Sequence, residues 1–354
     1  MILVLKNNLS ESDIAFVVKQ VGERGFTAQL IYDQPSVVAL VLGDTRSLAT
    51  HVFSQIRGVE KVVKIHPPHP LVASKKRKSI QLGNGAIIGG GKPVVIGGPC
   101  SVESEDLLIQ IARDVKASGA KLLRGGAFKP RTSPYDFRGL GKLGFEYLSY
   151  ARRETGLPVV SEVMSAEQVE LAESYVDVLQ IGARNMYNYE LLSEVGKSKL
   201  PVLLKRGMSA TLSDLLQAAE YVMLAGNENV ILCERGIRTF ETYTRNTLDL
   251  SAVAALKIMT DLPVLVDPSH ATGRRDLIRP MSRAAIAAGA DGLIIEVHPE
   301  PSQAMSDGAQ AITPLELGQI VSDVDKISAI FADGGEIQSK ALVASAAASG
   351  AVLS

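Results

Sequence analysis

Residues 93–125 read PVVIGGPCSVESEDLLIQIARDVKASGAKLLRG, and their pattern decides the fold. Val94–Gly98 is an apolar strand, a polar loop follows, and Leu107–Ala117 carries the spacing of an amphipathic helix. Lys121–Gly125 is then a second apolar strand. A strand that is apolar at nearly every position is buried on both faces, as in a parallel sheet. The same unit recurs downstream, with further strands at Val159–Val163, Val176–Ile181, Val202–Lys205, Val230–Cys233, Val264–Val266 and Leu293–Val297. Helices such as Leu212–Leu224 separate them, and Pro314–Phe331 is the last. Eight βα units over 93–333 match a (β/α)8 barrel. A doubly wound open sheet is the alternative, but Gly97-Gly98-Pro99-Cys100 stands where a G-x-G-x-x-G turn would follow the first strand.

Upstream, residues 1–66 carry a β-α-β-β-α-β order, the split βαβ pattern of a small ferredoxin-like α+β domain. Ile2–Leu5 is its first strand, and Ser10 with Asp13 resembles a capping box. Ile14, Val17, Val18 and Val21 then fall on one helical face. Phe26–Tyr32 and Val37–Leu42 are strands with Pro35 between them. Ala49, Val52, Phe53 and Ile56 form a second helical face, and Val62–Ile65 closes the set. Residues 67–92 read as a linker with a small hairpin at Ala86-Ile87-Ile88. The run Lys75-Lys76-Arg77-Lys78 is more often a solvated hinge than a nucleic-acid patch. The tail 334–354, rich in Ala and Ser, reads as loosely ordered or as a surface helix.

The formal net charge of -1 excludes a global basic field for nucleic acid or anionic membrane. No stretch is apolar for the roughly 18 residues of a membrane span. The N-terminus has neither a basic leader nor a small-residue cleavage site, so it reads as a strand and not as a signal peptide. Two cysteines, Cys100 and Cys233, build no disulfide framework, which fits a reduced, cytoplasmic setting.

A barrel collects chemistry at the C-terminal ends of its strands. The polar residues there are of two kinds. Arg124, Lys129, Arg131, Arg184, Lys205, Arg206, Arg235 and Arg274 are cations at or just after strand ends. So many like charges at one mouth make sense only with bound anions, which points to phosphorylated and carboxylated substrates. Any single one of them could equally pair with a local acid. Cys100, His270, Glu296 and Asp307 form the second kind, a donor set suited to Mn²⁺, Fe²⁺, Co²⁺ or Zn²⁺. Taken alone, a buried cysteine is usually a small hydrophobe, and Asp-Pro-Ser-His could be a turn with a surface histidine. Lys205 could also serve as a Schiff-base nucleophile, although neighbouring Arg206 and a bound phosphate favour a charged lysine. Cys233 reads as a core thiol. Glu234 and His298 stand evenly between a part in the site and a structural one.

Seven ordered stretches carry a family resemblance. They are Gly97-Gly-Pro-Cys-Ser-Val-Glu-Ser104, Lys129-Pro-Arg-Thr-Ser-Pro-Tyr135, Gln180-Ile-Gly-Ala-Arg184, Lys205-Arg-Gly207, Cys233-Glu-Arg-Gly236, Asp267-Pro-Ser-His-Ala-Thr-Gly273 and Glu296-Val-His-Pro299. Together they resemble 3-deoxy-D-arabino-heptulosonate 7-phosphate (DAHP) synthase, in the branch that shares ancestry with 3-deoxy-manno-octulosonate 8-phosphate (KDO8P) synthase. The likeness covers 93–332, and residues 1–66 resemble the ferredoxin-like regulatory domain that some members carry. It implies condensation of phosphoenolpyruvate with erythrose 4-phosphate, the first step toward the aromatic amino acids. It implies that Arg124, Lys129, Arg184, Lys205 and Arg235 hold phosphoenolpyruvate, and that the loop of Pro130, Arg131 and Thr132 takes the erythrose 4-phosphate end. It places a divalent metal ion on Cys100, His270, Glu296 and Asp307, with Lys129, Lys205, His270 and Cys100 as the catalytic groups. A homotetramer inhibited by tyrosine or phenylalanine through the N-terminal domain is the further expectation. KDO8P synthase, acting on arabinose 5-phosphate, is the rival. That group resembles Lys-Ala-Asn-Arg-Ser where this chain has Lys129-Pro-Arg-Thr-Ser.

Overall fold

The computed structural model describes residues 1–33, 36–45, 48–64, 69–73, 79–130 and 135–332. Pro35, the basic run at 75–78, Arg131, Thr132 and the tail from 334 lie outside the described residues. The chain divides into two compact units, Met1–Ser74 and Lys75–Ser354.

In the first unit, β1 (Ile2–Leu5) leads to α1 (Glu11–Glu23), β2 (Thr27–Asp33), β3 (Ser36–Leu42), α2 (His51–Ser54) and β4 (Val59–Val63). The sheet order is β2-β3-β1-β4, with β1 antiparallel to both neighbours, as the split βαβ pattern requires. Ser10 and Asp13 close the capping box, each side chain accepting from the other's backbone N–H. Ile14, Val17 and Val21 are buried from α1 against Leu3, Leu5, Ala39, Val41 and Phe53. The second helix is a single turn shorter than its apolar spacing suggested. Ala49 precedes it and is exposed, while Leu48 packs on the core in its place. Phe53 still anchors the turn, edge-on to Phe26 with ring centroids 5.9 Å apart.

The second unit opens with a two-stranded hairpin, β5 (Ile80–Gln81) and β6 (Ile87–Ile88). The strands β7 (Val94–Gly98), β8 (Leu122–Arg124), β9 (Val159–Val163), β10 (Val178–Ile181), β11 (Val202–Lys205), β12 (Val230–Glu234), β13 (Val264–Val266) and β14 (Gly292–Glu296) follow. Every neighbouring pair is parallel and β14 returns to β7, which closes an eight-stranded barrel. The crossover helices are α3 (Glu105–Ala117), α4 (Lys142–Thr155), α5 (Ala166–Ala172), α6 (Tyr189–Val195), α7 (Leu212–Leu224) and α8 (Leu250–Met259). Then come α9 (Pro268–Thr272), α10 (Arg275–Ala287) and α11 (Pro314–Ala332). The barrel interior is filled by Ile96, Leu122, Val160, Val178, Leu203, Ile231, Leu265 and Ile294. Ile80, Leu82, Ala86 and Ile88 of the hairpin join the same cluster, so the hairpin plugs one end and leaves the other for chemistry. No helix among the described residues is long and apolar enough to cross a membrane.

One glycine is forced where the mouth begins. Gly98 has φ 147°, and a Cβ there would stand 2.0 Å from the carbonyl oxygen of Arg124. Only glycine lets β7 and β8 end side by side, which brings Cys100 next to Arg124 and Lys129.

Candidate metal and anion site

At the open end, Cys100, His270, Glu296 and Asp307 each offer one ligand atom, and these atoms all lie within 4.8 Å of one another. Four separate segments supply them: the loops after β7 and β14, the end of β14 and the short helix α9. His270 is fixed by Asp267, whose carboxylate caps α9 by accepting from the His270 N–H at 2.8 Å and from Nδ1 at 2.7 Å. Nε2 then faces Glu296 Oε1 at 3.1 Å, inside the cluster. The remaining donors are held as firmly. Arg124 donates to Glu296 at 2.8 Å, Gln310 donates to its other oxygen at 2.7 Å, and Lys129 Nζ lies 2.7 Å from Cys100 Sγ.

The electrostatics of this cluster call for positive charge at its centre. Burial disfavours a protonated His270, yet Asp267 and Glu296 outweigh it and raise the ring's pKa to about 10. Burial likewise works against an ionised Glu296, but His270, Arg124 and Lys129 hold its carboxyl well below the usual range. A thiol, an imidazole and two carboxylates with an outer layer of hydrogen-bonding partners fit a borderline divalent ion better than Mg²⁺ or Ca²⁺, which prefer oxygen donors alone.

Beside the cluster lies a cavity lined by Arg124, Lys129, Arg184, Lys205 and Arg235, with His270 and Asp307 on its wall. Pro130 also lines it, while Arg131 and Thr132 fall outside the described residues. Lys205 is buried and ion-paired with Asp267. That contact ties Nζ to a carboxylate, whereas a Schiff-base nucleophile needs its amine open to the substrate. Arg235 lacks, among the described residues, the carboxylate partner that Arg124 and Lys205 have. It donates to the His270 carbonyl at 3.3 Å through Nη2, but its buried Nη1 has no hydrogen-bond partner. Burial outweighs the negative charge of Asp267 and lowers its pKa, so this guanidinium lacks a full counter-charge within the protein. A buried donor left open toward a cavity marks an anion subsite.

Two of the expected cations do not converge. Arg206 turns away to Glu234 and Asp249, both at 2.9 Å, and to the Ala210 carbonyl at 3.0 Å. Arg274 is paired with Asp276 and lies over the Tyr243 ring, outside the cavity. Each found a nearby acid, and that local neutralisation removes the need for a bound anion. Glu234 is the structural counterpart of Arg206: it is fully buried and also accepts from the Gly236 N–H at 2.7 Å. Burial pushes the Cys233 thiol far up, as befits a core residue. His298 is buried away from the cavity and accepts from the Glu300 N–H at 3.0 Å.

Sequence reading gave no role to the wall residues Arg245, Glu162, Gln180 and Asp136, nor did it see the pairing of Asp267 with Lys205 and His270. Arg245 reaches Gln310 at 3.0 Å and Asp307 at 3.5 Å from a loop far away in sequence. Glu162 ends β9, and the missing Cβ of Gly182 makes room for it, since that atom would sit 2.0 Å from Oε1. The strand-end position of Glu162 and Gln180 was a usable signal; the reach of Arg245 was not.

Residues 72–330 match the DAHP synthetase I family, and residues 1–67 match the DAHP synthase ferredoxin-like domain. The chain is 45% identical over 331 residues to a phospho-2-dehydro-3-deoxyheptonate aldolase of Thermotoga maritima, covering 93% of this chain and 98% of the relative. A 2-dehydro-3-deoxyphosphooctonate aldolase of Syntrophotalea carbinolica is 35% identical over 263 residues, which span 69% of this chain and 93% of that one. Among solved structures, the Thermotoga maritima DAHP synthase superposes with a TM-score of 0.81 at 44% identity, covering 93% of this chain and 97% of the other. A truncated form of the Thermotoga enzyme gives a TM-score of 0.68 at 47% identity over 73% of this chain and 94% of its own. With its barrel matched over residues 72–330 and its N-terminal domain over residues 1–67, the chain belongs to the DAHP synthase family, and its activity is of the transferase class.

Proposed function

We propose that the chain condenses phosphoenolpyruvate with D-erythrose 4-phosphate to give DAHP and inorganic phosphate, in a metal-dependent reaction. The observation that carries this reading is the juxtaposition of the four-donor cluster with a cavity lined by six cations, two of them buried arginines with an unpaired N–H, Arg124 and Arg235. Phosphoenolpyruvate carries two anionic groups, and Arg235, Arg184 and Lys205 are placed to hold them. Arg184 makes no hydrogen bond or ion pair among the described residues, so its guanidinium is free for such a ligand. Asp267 pairs with Lys205 and fixes its direction. Lys129 and Arg124 face both the cavity and the cluster, so they orient the enol next to the aldehyde and supply the positional part of the rate enhancement. Cys100, His270, Glu296 and Asp307 would hold the ion. When bound, a divalent ion supplies Lewis-acid polarisation of the aldehyde oxygen. The new C–C bond joins C3 of the enol to the aldehyde carbon; water adds at C2, and phosphate leaves with its bridging oxygen.

Relatives named for the octulosonate reaction keep arabinose 5-phosphate as the competing acceptor, and the loop that would separate the two lies outside the described residues. Phosphate release from phosphoenolpyruvate, measured with each sugar phosphate in Mn²⁺ and then in EDTA, tests both parts. Turnover with the four-carbon sugar that disappears in EDTA is expected. Turnover with only the five-carbon sugar moves the assignment, and turnover that survives EDTA removes the metal from it.

The N-terminal unit is proposed as the seat of feedback control, on the strength of its match to the ferredoxin-like domain of this family. Tyrosine or phenylalanine should inhibit the full chain, and deletion of residues 1–70 should leave activity but abolish inhibition. Inhibition retained by the truncated protein contradicts this. A cytoplasmic homotetramer completes the proposal.

A further inference from the structure

Asp307 is the weakest-placed member of the donor cluster. It is a non-glycine residue in the left-handed region, with φ 54° and ψ 28°, on an irregular loop between β14 and α11. Left to itself, an aspartate on such a loop would sample many conformations, few of them aimed at Cys100. Its neighbours restrain it. The loop after β7 runs alongside in opposite direction, and side chains join the two at successive steps. Cys100 Sγ lies 2.9 Å from Asp307 Oδ2, the hydroxyls of Ser101 and Ser306 are 2.7 Å apart, and Glu103 Oε1 accepts from the Met305 N–H at 2.8 Å. Ser101 and Ser306 are both buried, so their contact is not exchanged for water. On the far side of Asp307, Gln310 is tied to Arg245 and to Glu296. None of Ser101, Glu103 or Ser306 touches the cavity or offers a donor to the cluster.

We infer that Ser101 and Glu103 are positioning residues that clip the Asp307 loop onto the Cys100 loop and so preorganise the fourth ligand of the divalent ion. This rests on the metal-dependent reading above. Partners of this kind, which hold a ligand without binding the ion, typically change metal affinity by about 10–100-fold when removed. Cutting the clip frees Asp307 while leaving Cys100, His270 and Glu296 in place, so the ion is bound by three groups and lost more readily.

The test is Mn²⁺ and Zn²⁺ affinity of the full chain, by competition with a chromophoric chelator, for wild type, Ser101→Ala, Glu103→Ala, Glu103→Gln and His270→Ala. Thermal melts of the metal-free proteins run alongside. Glu103→Ala and Ser101→Ala are expected to weaken binding by about 10–100-fold, with metal-free melting temperatures close to wild type. Glu103→Gln keeps an oxygen acceptor for the Met305 N–H and should bind nearly as wild type. If both alanine variants bind as wild type while His270→Ala does not, the clip is refuted and the metal site stands. Should His270→Ala bind the ion unchanged, the metal reading itself fails. Equal weakening in the alanine and glutamine variants contradicts a role through the Met305 contact.

Discussion

Replacing His270 with alanine is expected to reduce kcat/KM by roughly 100- to 10,000-fold. Lewis-acid stabilisation by a bound ion is worth several kcal/mol, and each ~1.4 kcal/mol is a factor of about ten in rate. The position also has no substitute. His270 is gripped by Asp267 on one nitrogen and turned to Glu296 with the other, and the two carboxylates raise its pKa against the effect of burial. Those carboxylates select for positive charge at this point, which a bound divalent ion would supply. The variant should fold, since Asp267 retains Lys205 as a partner. Steady-state kinetics beside far-UV circular dichroism would check it. A folded variant within about threefold of wild-type kcat/KM, well under one factor of ten, takes His270 out of the chemistry.

Asp267→Asn should produce the largest loss of stability among changes near the site. Asp267 is 1% exposed and faces Lys205 and His270 together. Burial opposes its ionisation, but those two partners hold its carboxyl far below the usual range. Asparagine preserves the shape and the α9 cap while removing the charge, so no cavity confuses the result. Breaking a buried ion pair by neutralising one member costs about 3–5 kcal/mol. Urea unfolding at neutral pH is the measurement, and a change below ~1 kcal/mol, in the range of a surface pair, contradicts the charge-based account. Activity should fall as well, because Lys205 loses the partner that aims it into the cavity.

The barrel was legible because its strands are apolar at almost every position and recur eight times, a pattern set by burial on both faces. The clustering of Cys100, His270, Glu296 and Asp307 was legible for a topological reason: residues that end successive parallel strands must meet at one rim, whatever their distance in sequence. Strand-end position does not tell which way a side chain turns. Arg206 and Arg274 sit at the rim as expected, yet Arg206 swings to Glu234 and Asp249 and Arg274 to Asp276, away from the cavity. Arg245 shows the converse, entering the site from the loop after β12 through contacts more than 60 residues away. In the N-terminal unit, the apolar spacing at Ala49 to Ile56 marked the right segment. It overstated the helix, because Phe53 buries its side chain from a single turn and Ile56 from the bend after it, so the flanking residues need not be helical.

Crystals of the full chain grown with Mn²⁺ and phosphoenolpyruvate, and measured at the manganese absorption edge, test the site most directly. The expected result is one anomalous peak bonded to Cys100, His270, Glu296 and Asp307, with the ligand's anionic groups on Arg184, Lys205 and Arg235. An ion bound elsewhere, or phosphoenolpyruvate seated away from Arg235, contradicts it.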